Sequence, residues 1–330
     1  MGVQLADIVK RDDIELSRLR GRTTAIDALN ILYQFLAIIR QRDGELLKDS
    51  QGRVTSHLSG LFYRSINLFE EGVKPIYVFD GEPPSVKKQT ITRRQEIKKE
   101  ARKKLKKARE EGRTEDVRKY AQQTAYITNE MIEDSKLLLT SMGIPSIQAP
   151  SEGEAQAAVL AQNKDAYAAA SQDYDSLLFG APRLVRNLTL TGRRKLPGKN
   201  VYITVKTEIV VLKDILDELG ITREQLVEIG LLIGTDYNEG VTGIGPKTAL
   251  KKVKEGKFSE YGLDDLKKLF LNPKITDEYS IQFKKPTPSN IFKILCDEHD
   301  FSETRVENAV DRLVKATEDV RKQTSLDAFF

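Results

Sequence analysis

Side chains that bind soft metals are scarce in this chain. Its 330 residues include one cysteine, Cys296, and two histidines, His57 and His299. A lone cysteine cannot close a disulfide within the chain, and it fits a reducing compartment. Zinc sites are built mainly from cysteine and histidine. We therefore expect neither a disulfide-stapled fold nor a zinc site, and we expect His57 to be structural.

Long apolar runs are also missing from the sequence. No segment approaches the ~20 apolar residues that span a bilayer, and the N-terminus lacks the apolar stretch of a signal peptide. A hydrophobic content of 39% beside 31% charged residues is an ordinary balance for a soluble protein. A chain of this length can bury a good core and is expected to form one or two domains.

A strong net charge of either sign is absent, because 53 basic residues nearly balance 49 acidic ones and leave +4. The charges are nevertheless segregated along the sequence. From Lys87 to Arg109 there are twelve Lys or Arg against two Glu, whereas acids cluster elsewhere. Such segregation is typical of an enzyme that binds both nucleic acid and metal ions.

Four carboxylates lie in two closely spaced pairs, Glu152 with Glu154 and Asp173 with Asp175. Ser151 is a good N-cap three residues before Glu154, which predicts a helix start. The segment 166–170 reads as a buried parallel strand that ends just before the second pair. Both pairs can therefore face one crevice at the carboxyl ends of the strands. An ordinary capping box and an ordinary Asp-x-Asp turn are the alternatives for each pair alone.

Three further acids follow apolar segments, namely Asp27, Asp80 and Asp236. Single aspartates there are usually turn or cap residues. Seven carboxylates in one cleft would raise one another's pKa, and divalent cations among them would make the arrangement tolerable. Oxygen ligands suit Mg²⁺ or Mn²⁺. Two such ions about 4 Å apart can promote in-line displacement at phosphorus.

The basic run from Lys87 to Arg109 predicts a helix with a thin apolar stripe, and Thr114 can cap a second helix that reaches about Leu139. A solvated face is the usual interpretation of a charge run, but charge of one sign favours contact with nucleic acid. A weakly apolar pair of helices inserted between two strands cannot be core.

Glycines and a proline mark a second element, 238–250. Pro246 separates Gly245 from Lys247, so this is no P-loop. Gly243 and Gly245 allow close backbone approach to a phosphate, and Pro246 starts a helix whose free N–H groups favour an anion. We interpret the segment as a helix-hairpin-helix, with a plain helical hairpin as the alternative. Short strands are expected at 184–190 and 201–205, with the basic loop 192–195 between them.

Five blocks of sequence resemble the flap endonucleases of the XPG-type 5′-nuclease family. The blocks are Ala25-Ile-Asp-Ala28, Tyr77-Val-Phe-Asp-Gly-Glu-Pro-Pro84, Ala149-Pro-Ser-Glu-Gly-Glu-Ala155, Gln172-Asp-Tyr-Asp175 and Gly234-Thr-Asp-Tyr237. The resemblance runs from Met1 to the last residue, and Gly153 is a departure that leaves both neighbouring carboxylates in place.

The resemblance implies a Mg²⁺-dependent, structure-specific DNA nuclease. It implies two Mg²⁺ ions per active site, with Mn²⁺ as a substitute, and K⁺ at the helix-two-turn-helix. The implied metal ligands are Asp27, Asp80, Glu152, Glu154, Asp173, Asp175 and Asp236. Lys87 and Arg94 match basic residues at the base of a helical arch, where they would hold the scissile phosphate and stabilise transition-state charge.

The implied DNA contacts lie on several elements. They are Tyr33, Arg40, Arg64, Glu152, Gly234, Asp236, Gly243, Gly245 and Lys247. Tyr33 would stack on bent DNA, and Arg40 lies two helical turns later on the same face. The pattern Gln-x-x-aliphatic-x-x-aromatic-aromatic resembles the binding box for the sliding clamp (PCNA). Its members are Gln323, Leu326, Phe329 and Phe330.

The expected fold is α/β, with a central, mostly parallel, twisted sheet flanked by helices in a PIN-like nuclease core. The expected units are a single nuclease domain, 1–318, and a flexible clamp-binding tail, 319–330. Within the nuclease domain we expect an N-terminal region 1–98, a helical arch at about 85–130, an internal region 116–258 with a helix-two-turn-helix at 224–256, and packing helices 259–318. The expected protein is a monomer that cleaves 5′ flaps, with weaker 5′ exonuclease activity, in DNA replication and repair.

Two other classes of protein fit parts of the sequence. A clamp-tethered DNA-binding scaffold would keep the arch, hairpin and tail but lack the acids. A PIN-type ribonuclease would share the sheet but lack the helix-two-turn-helix and the tail. Because no basic extension follows the tail, we expect an archaeal, cytoplasmic protein; a eukaryotic one would be nuclear.

Overall fold

The structure is a computed structural model that describes residues 2–41, 43–189, 192–195 and 202–327. After Glu318 it describes the backbone alone. The strands are β1 (Asp12–Ile14), β2 (Thr23–Asp27), β3 (Lys74–Phe79), β4 (Ser146–Gln148), β5 (Ala168–Ala170), β6 (Arg183–Arg186), β7 (Gly192–Lys195), β8 (Tyr202–Val205) and β9 (Thr207–Val211).

Helices separate most of these strands along the chain. They are α1 (Ala28–Ile38), α2 (Ser56–Glu70), α3 (Lys88–Glu110), α4 (Thr114–Gln123), α5 (Asn129–Ser141), α6 (Gly153–Gln162), α7 (Asp175–Leu178), α8 (Leu212–Leu219), α9 (Arg223–Ile233), α10 (Pro246–Lys254), α11 (Asp264–Leu271), α12 (Pro288–Phe292) and α13 (Glu303–Asp327). Short 3₁₀ turns span Leu16–Leu19, Ser85–Lys87 and Phe258–Tyr261, and a π-helical turn spans Lys293–Asp297.

Seven strands form the central sheet in the order β1-β9-β6-β5-β2-β3-β4. Strands β6, β5, β2, β3 and β4 are parallel, whereas β9 pairs antiparallel with both β6 and β1. The chain adds β3 and β4 on one side of β2 and then crosses to β5 on the other. This reversal creates a switch point between β2 and β5, where open α/β sheets bind ligands. The predicted fold class is confirmed.

Both faces of the sheet are buried, which explains the nearly continuous apolar strands. Ala25, Ile76 and Val78 face one core, which α6, α7 and α9 cover. Ile26 and Tyr77 face the other, which α1, α2, α5 and α13 complete. Alternate residues of one strand thus serve opposite cores, as the two-residue period of a strand requires.

Several local predictions were wrong. Thr114 does not cap α4, because Arg113 occupies the N-cap position and Thr114 is the first helical residue. The segment 192–195 is strand β7, paired antiparallel with β8, and not a loop. Ser151 does not cap α6; Glu152 occupies the N-cap position, and the Ser151 hydroxyl donates to the Glu82 carbonyl at 3.1 Å. The second arch helix is two helices, because the Thr128 side chain accepts from the Met131 N–H and starts α5.

The pair α3 and α4 stands outside both main cores, as its composition predicts. Leu105, Ala108, Val117 and Ala121 form a small apolar cluster of their own between the two helices. The α4 helix also packs on α1, beside the carboxyl end of β2. The arch is therefore held close to the edge of the sheet where the acids lie. Among the described residues no helix is both long and apolar enough to cross a membrane.

Candidate active site

The seven predicted carboxylates lie together at the switch point of the sheet. A cleft of about 520 Å³ is lined by Asp27, Asp80, Glu152, Glu154, Asp173 and Asp236. Asp175 lies buried beneath this set, with 5% of its surface exposed, and interacts electrostatically with Asp236 and Asp173. The structure thus brings together every acid of the predicted set.

The carboxyl ends of parallel strands account for this convergence. Asp27 is the last residue of β2, and Asp80 directly follows β3. Asp173 and Asp175 follow β5 through a short turn. Glu152 and Glu154 open α6 after β4. Asp236 comes from a tight turn after α9, which Thr235 and Asn238 close through paired bonds.

Backbone and side-chain donors hold individual carboxylates in place. The Gly153 N–H donates to Asp80 at 2.8 Å, and the Val3 N–H donates to Asp175 at 2.8 Å. Asn30 uses its backbone N–H for Asp27 and its side-chain amide for Asp173. The Ser171 hydroxyl donates to Glu154 and accepts from the Asp173 N–H, so it links both pairs.

Burial and mutual repulsion raise the pKa values of these acids. Burial raises the pKa of Asp80 to about 6, with Glu152 adding to the effect. Burial also raises the pKa of Asp175 to about 7, with Asp236 the main neighbouring charge. The pKa values of Asp27 and Glu154 lie well above their usual range for the same reasons. The negative charge of the ionised carboxylates in the cleft is therefore not fully balanced by nearby positive charge.

Lys87 supplies a positive charge at the mouth of the cleft. Its Nζ pairs with Glu152 and lies 3.6 Å from Asp236 Oδ2. The same atom stands 5.1 Å from the centre of the Tyr237 ring. Burial lowers the pKa of Lys87, but Glu152 and Asp236 raise it more, so the pKa lies above its usual value. This lysine stays charged at neutral pH.

The residues fit divalent cations by their chemistry. All seven donors are carboxylates, which suits Mg²⁺ and Mn²⁺. A bound cation would offset the burial and the repulsion that raise the pKa values of Asp80 and Asp175. In the part of the chain that the structure describes, no three His, Cys, Asp or Glu side chains already converge into a finished metal site. Lys87 pairs with Glu152 and lies near Asp236 in the same cleft. Binding of cations would therefore require the carboxylates to move closer together.

The pH dependence of stability tests this charge balance. An aspartate in the unfolded chain has a pKa of about 3.9, below the values of about 6 and about 7 for folded Asp80 and Asp175. Between these limits the folded state binds more protons, so these groups lower the free energy of unfolding as pH rises. In EDTA, Asp175→Asn should therefore melt above the wild type at pH 8 and close to it at pH 5.

Calorimetry at both pH values, with and without Mg²⁺, measures this difference. Mg²⁺ should stabilise the wild type more at pH 8 than at pH 5, because metal ligands must be deprotonated. An Asp175→Asn variant that melts below the wild type at pH 8 in EDTA would contradict the assigned repulsion.

Other predicted residues are distributed more widely. Tyr33 lines the cleft, 39% exposed, with Lys98 Nζ 4.8 Å from its ring centre. Arg40 lies beyond the end of α1, in a bridge with Leu46, and donates to the Gly44 carbonyl. It therefore does not continue the helical face of Tyr33, and that expectation was wrong. Arg64 lines a separate cavity beside Asn67.

The predicted hairpin has the expected form. Gly243 has φ of +81°, a conformation that favours glycine, and Gly245 caps α10, whose first residue is Pro246. A Cβ added at either glycine would meet open space, so a ligand can approach there. Lys247 is exposed on α10. Gly234 ends α9 with φ of +114°.

Two sets of predicted residues cannot be placed fully. The backbone of Arg94 lies in α3, but its side chain is outside the described part. Helix α13 extends to Asp327, past residue 318 where the packing helices were expected to end, and includes the backbones of Gln323 and Leu326. Phe329 and Phe330 lie outside the described residues.

Sequence reasoning missed several residues that support the acids. Gly2 lies so close that an added Cβ would stand 2.5 Å from the Asp173 Cβ. Asn30 and Ser171 each contact two elements of the cleft. Asn30 and Ser171 could have been predicted, because each lies within three residues of a candidate acid in the sequence. No local pattern predicts that the N-terminal segment reaches Asp175.

Known proteins that resemble this chain are nucleases of one family. The XPG N-terminal domain matches residues 1–101, and the XPG I-region matches residues 143–236. Flap endonuclease 1 of Thermococcus onnurineus is 56% identical over 339 residues, an alignment that covers 100% of this chain and 99% of that protein.

Solved structures share the fold. The flap endonuclease-1 from Methanococcus jannaschii superposes with a TM-score of 0.78 at 42% identity, covering 96% of this chain and 99% of that one. The catalytic core of Rad2, solved in complex with DNA substrate, has a TM-score of 0.66 at 24% identity and covers 94% of this chain and 97% of that one. The two matching regions and the full-length identity show that the chain belongs to the flap endonucleases of the XPG family.

Proposed function

We propose that this flap endonuclease hydrolyses DNA phosphodiesters near the junction of a 5′ flap with duplex, by means of the seven carboxylates and Lys87. The observation that carries the proposal is the convergence of all seven acids in one cleft beneath a basic helix. Replication and repair both produce such flaps, and a weaker 5′ exonuclease activity accompanies flap cleavage.

Two divalent cations are the proposed cofactors. The ligands are the seven carboxylates, among which Asp80 interacts with Glu152 and Asp236, whereas Glu154 interacts with Asp27, Asp173 and Asp175. When bound, Mg²⁺ or Mn²⁺ supplies the Lewis acidity for hydrolysis at phosphorus and neutralises charge at the leaving oxygen. The number of carboxylates around the cleft supports more than one cation.

Lys87 and Arg94 are the proposed catalytic cations from the chain itself. Lys87 Nζ already lies among the acids, so it can donate to a non-bridging phosphate oxygen. Its buried, permanently charged ammonium would stabilise the charge that develops there. Arg94 lies seven residues later, within α3, whereas Lys87 ends the 3₁₀ turn directly before that helix. That spacing is the support for its role.

The remaining proposed contacts would hold the DNA backbone. Tyr33 at the rim of the cleft can stack on a base, and Arg40 and Arg64 can approach phosphates. The turn before α10, with Gly243, Gly245 and Lys247, would bind duplex backbone without reading bases. A K⁺ ion at this turn is part of the proposal.

A cleavage assay on a labelled 5′-flap duplex tests the function. Mg²⁺-dependent cleavage near the junction is expected, with little cleavage of single-stranded RNA. Preference for single-stranded RNA would favour a PIN-type ribonuclease. Tight flap binding without cleavage, at any concentration of Mg²⁺ or Mn²⁺, would favour a DNA-binding scaffold.

The C-terminal segment is proposed to bind the sliding clamp (PCNA). Leu326, Phe329 and Phe330 have the spacing of one helical turn, which would gather them on one face. Deleting residues 323–330 should abolish clamp binding and the stimulation of cleavage by the clamp. The melting temperature should hardly change, because the deletion leaves intact the buried residues of α13 from Val306 to Thr317.

A length-matched variant controls for the loss of chain. Phe329→Ala combined with Phe330→Ala should weaken clamp binding strongly, since aromatic anchors commonly contribute about 2 kcal/mol or more each, roughly thirtyfold in affinity. Titration calorimetry against the clamp measures this. Unchanged binding by the deletion, or a large fall in melting temperature, would place the segment in the core instead.

A monomer that acts in the cytoplasm of an archaeal cell completes the proposal. Its support is the full-length similarity to proteins from Thermococcus and Methanococcus.

A further inference from the structure

One arginine outside the cleft contacts the turn that carries Asp173 and Asp175. This turn, 171–175, connects β5 to α7. Arg186, the last residue of the neighbouring strand β6, contacts Gln172 and Tyr174, the residues on either side of Asp173. Neither Arg186 nor Tyr174 belongs to the set of site residues predicted from the sequence.

The contacts are specific in geometry. Arg186 Nε donates to the Gln172 carbonyl at 3.1 Å, and Nη1 donates to the Tyr174 hydroxyl at 2.8 Å. The guanidinium carbon also stands 4.3 Å from the centre of the Tyr174 ring, which is 4% exposed. A planar guanidinium can donate two hydrogen bonds in different directions and stack on an aromatic ring at the same time, whereas an ammonium cannot.

Glu208 fixes the direction of this guanidinium. It lies opposite Arg186 on β9 and accepts from Nη1 at 2.8 Å. Both side chains are mostly shielded, with 17% and 21% exposed. A cross-strand ion pair that only joins β6 to β9 is the simpler interpretation. It does not account for the two bonds that Arg186 makes to the acid-bearing turn.

Other bonds hold the two ends of the turn and the Asp173 side chain. The Ser171 hydroxyl donates to Glu154, and the Val3 N–H donates to Asp175 at 2.8 Å. Between these ends, the Gln172 N–H reaches Asn30 Oδ1 at 3.4 Å, and Arg11 reaches the Tyr174 hydroxyl at 3.5 Å. Arg186 therefore makes the shortest bonds to Gln172 and to the Tyr174 hydroxyl, on the two residues that flank Asp173.

We propose that Arg186, oriented by Glu208, is a positioning residue that holds the carboxylates of Asp173 and Asp175 in the arrangement that binds divalent cations. The inference rests on the proposed role of these acids as metal ligands. Small displacements of ligands are costly, and loss of an outer residue that orients a ligand typically lowers metal affinity or activity 10- to 100-fold.

Metal binding without DNA tests the inference. The variants are Arg186→Gln, Tyr174→Phe, and Arg183→Gln as a matched control. Arg183 lies on the same strand, but its guanidinium stacks 4.5 Å from the Tyr167 ring instead. Titration calorimetry with Mn²⁺ should show a dissociation constant raised about tenfold for Arg186→Gln, raised less for Tyr174→Phe, and unchanged for Arg183→Gln.

Two further measurements separate positioning from a structural role. The dissociation constant for flap DNA in EDTA should stay within about twofold of the wild type in all three variants, because phosphate contacts lie elsewhere. Cleavage by Arg186→Gln should recover as Mg²⁺ is raised, since excess cation compensates weakened affinity but not a damaged core.

Asp175→Ala distinguishes failure of the inference from failure of the proposed function. Suppose that Asp175→Ala loses Mn²⁺ binding while Arg186→Gln and Tyr174→Phe bind Mn²⁺ as the wild type does. Arg186 then does not position the metal-binding carboxylates, and the inference is overturned. If Asp175→Ala also binds Mn²⁺ normally, the ligand assignment itself fails. Should Arg186→Gln not fold, normal Mn²⁺ binding by Tyr174→Phe is still sufficient to overturn the inference.

Discussion

Asp80→Ala and Asp175→Ala should each lower the single-turnover rate of flap cleavage by about 10³-fold or more, while the dissociation constant for flap DNA changes little. A bound cation contributes several kcal/mol of transition-state stabilisation, and about 4 kcal/mol corresponds to 10³ in rate. DNA affinity comes mainly from phosphate contacts. The two acids also follow different strands, β3 and β5, which lie on opposite sides of the central strand β2.

Single-turnover kinetics at saturating Mg²⁺ and a binding titration in EDTA measure the two quantities separately. Asp12→Ala is the matched control, because Asp12 is exposed on the edge strand β1. It should cleave at the wild-type rate. Near-normal turnover of either cleft variant at saturating Mg²⁺ would contradict the assignment of these acids.

Much of this cleft can be predicted from the sequence, because its acids follow short apolar strands. The apolar segment before Asp80 is strand β3, Lys74–Phe79, so Asp80 lies at the carboxyl edge of the sheet. The same reasoning placed Asp27 and the pair after β5. Parallel strands carry their ends to one edge, so local patterns were enough to infer a shared crevice.

Long-range contacts could not be predicted in the same way. That the Val3 N–H donates to Asp175 depends on how the N-terminal segment crosses the sheet, 172 residues away in sequence. Arg186 and Tyr174 meet because β5 and β6 are neighbours, and no periodicity shows which strands pair. The capping prediction for Ser151 failed because α6 begins one residue later, with Glu152 at the N-cap position, and the Ser151 hydroxyl instead donates to the distant Glu82 carbonyl.

Lys87→Ala should lower the single-turnover rate by about 10²–10³-fold, the usual loss when one preorganised donor to a developing oxyanion is removed. Its effect on flap binding should be small, because an interaction made mainly in the transition state lowers the rate and not the affinity. Lys103→Ala is the matched control on the same helix. Lys103 is exposed and pairs with Glu100 at 3.1 Å, so its loss should leave the rate unchanged.

The pH profile shows how Lys87 acts. Lys87 also lowers the pKa values of Asp80 and Asp175, so its removal should move the rise of the rate with pH to more alkaline values. If that were its whole contribution, Lys87→Ala would regain the wild-type rate near pH 9 in saturating Mg²⁺, where the acids are deprotonated regardless. A deficit of about 10²-fold that persists at pH 9 is expected, because the missing ammonium then acts on the phosphate. Full recovery at that pH, or a change in DNA affinity alone, would show that Lys87 serves the acids or the binding of DNA and does not contact the reacting phosphate.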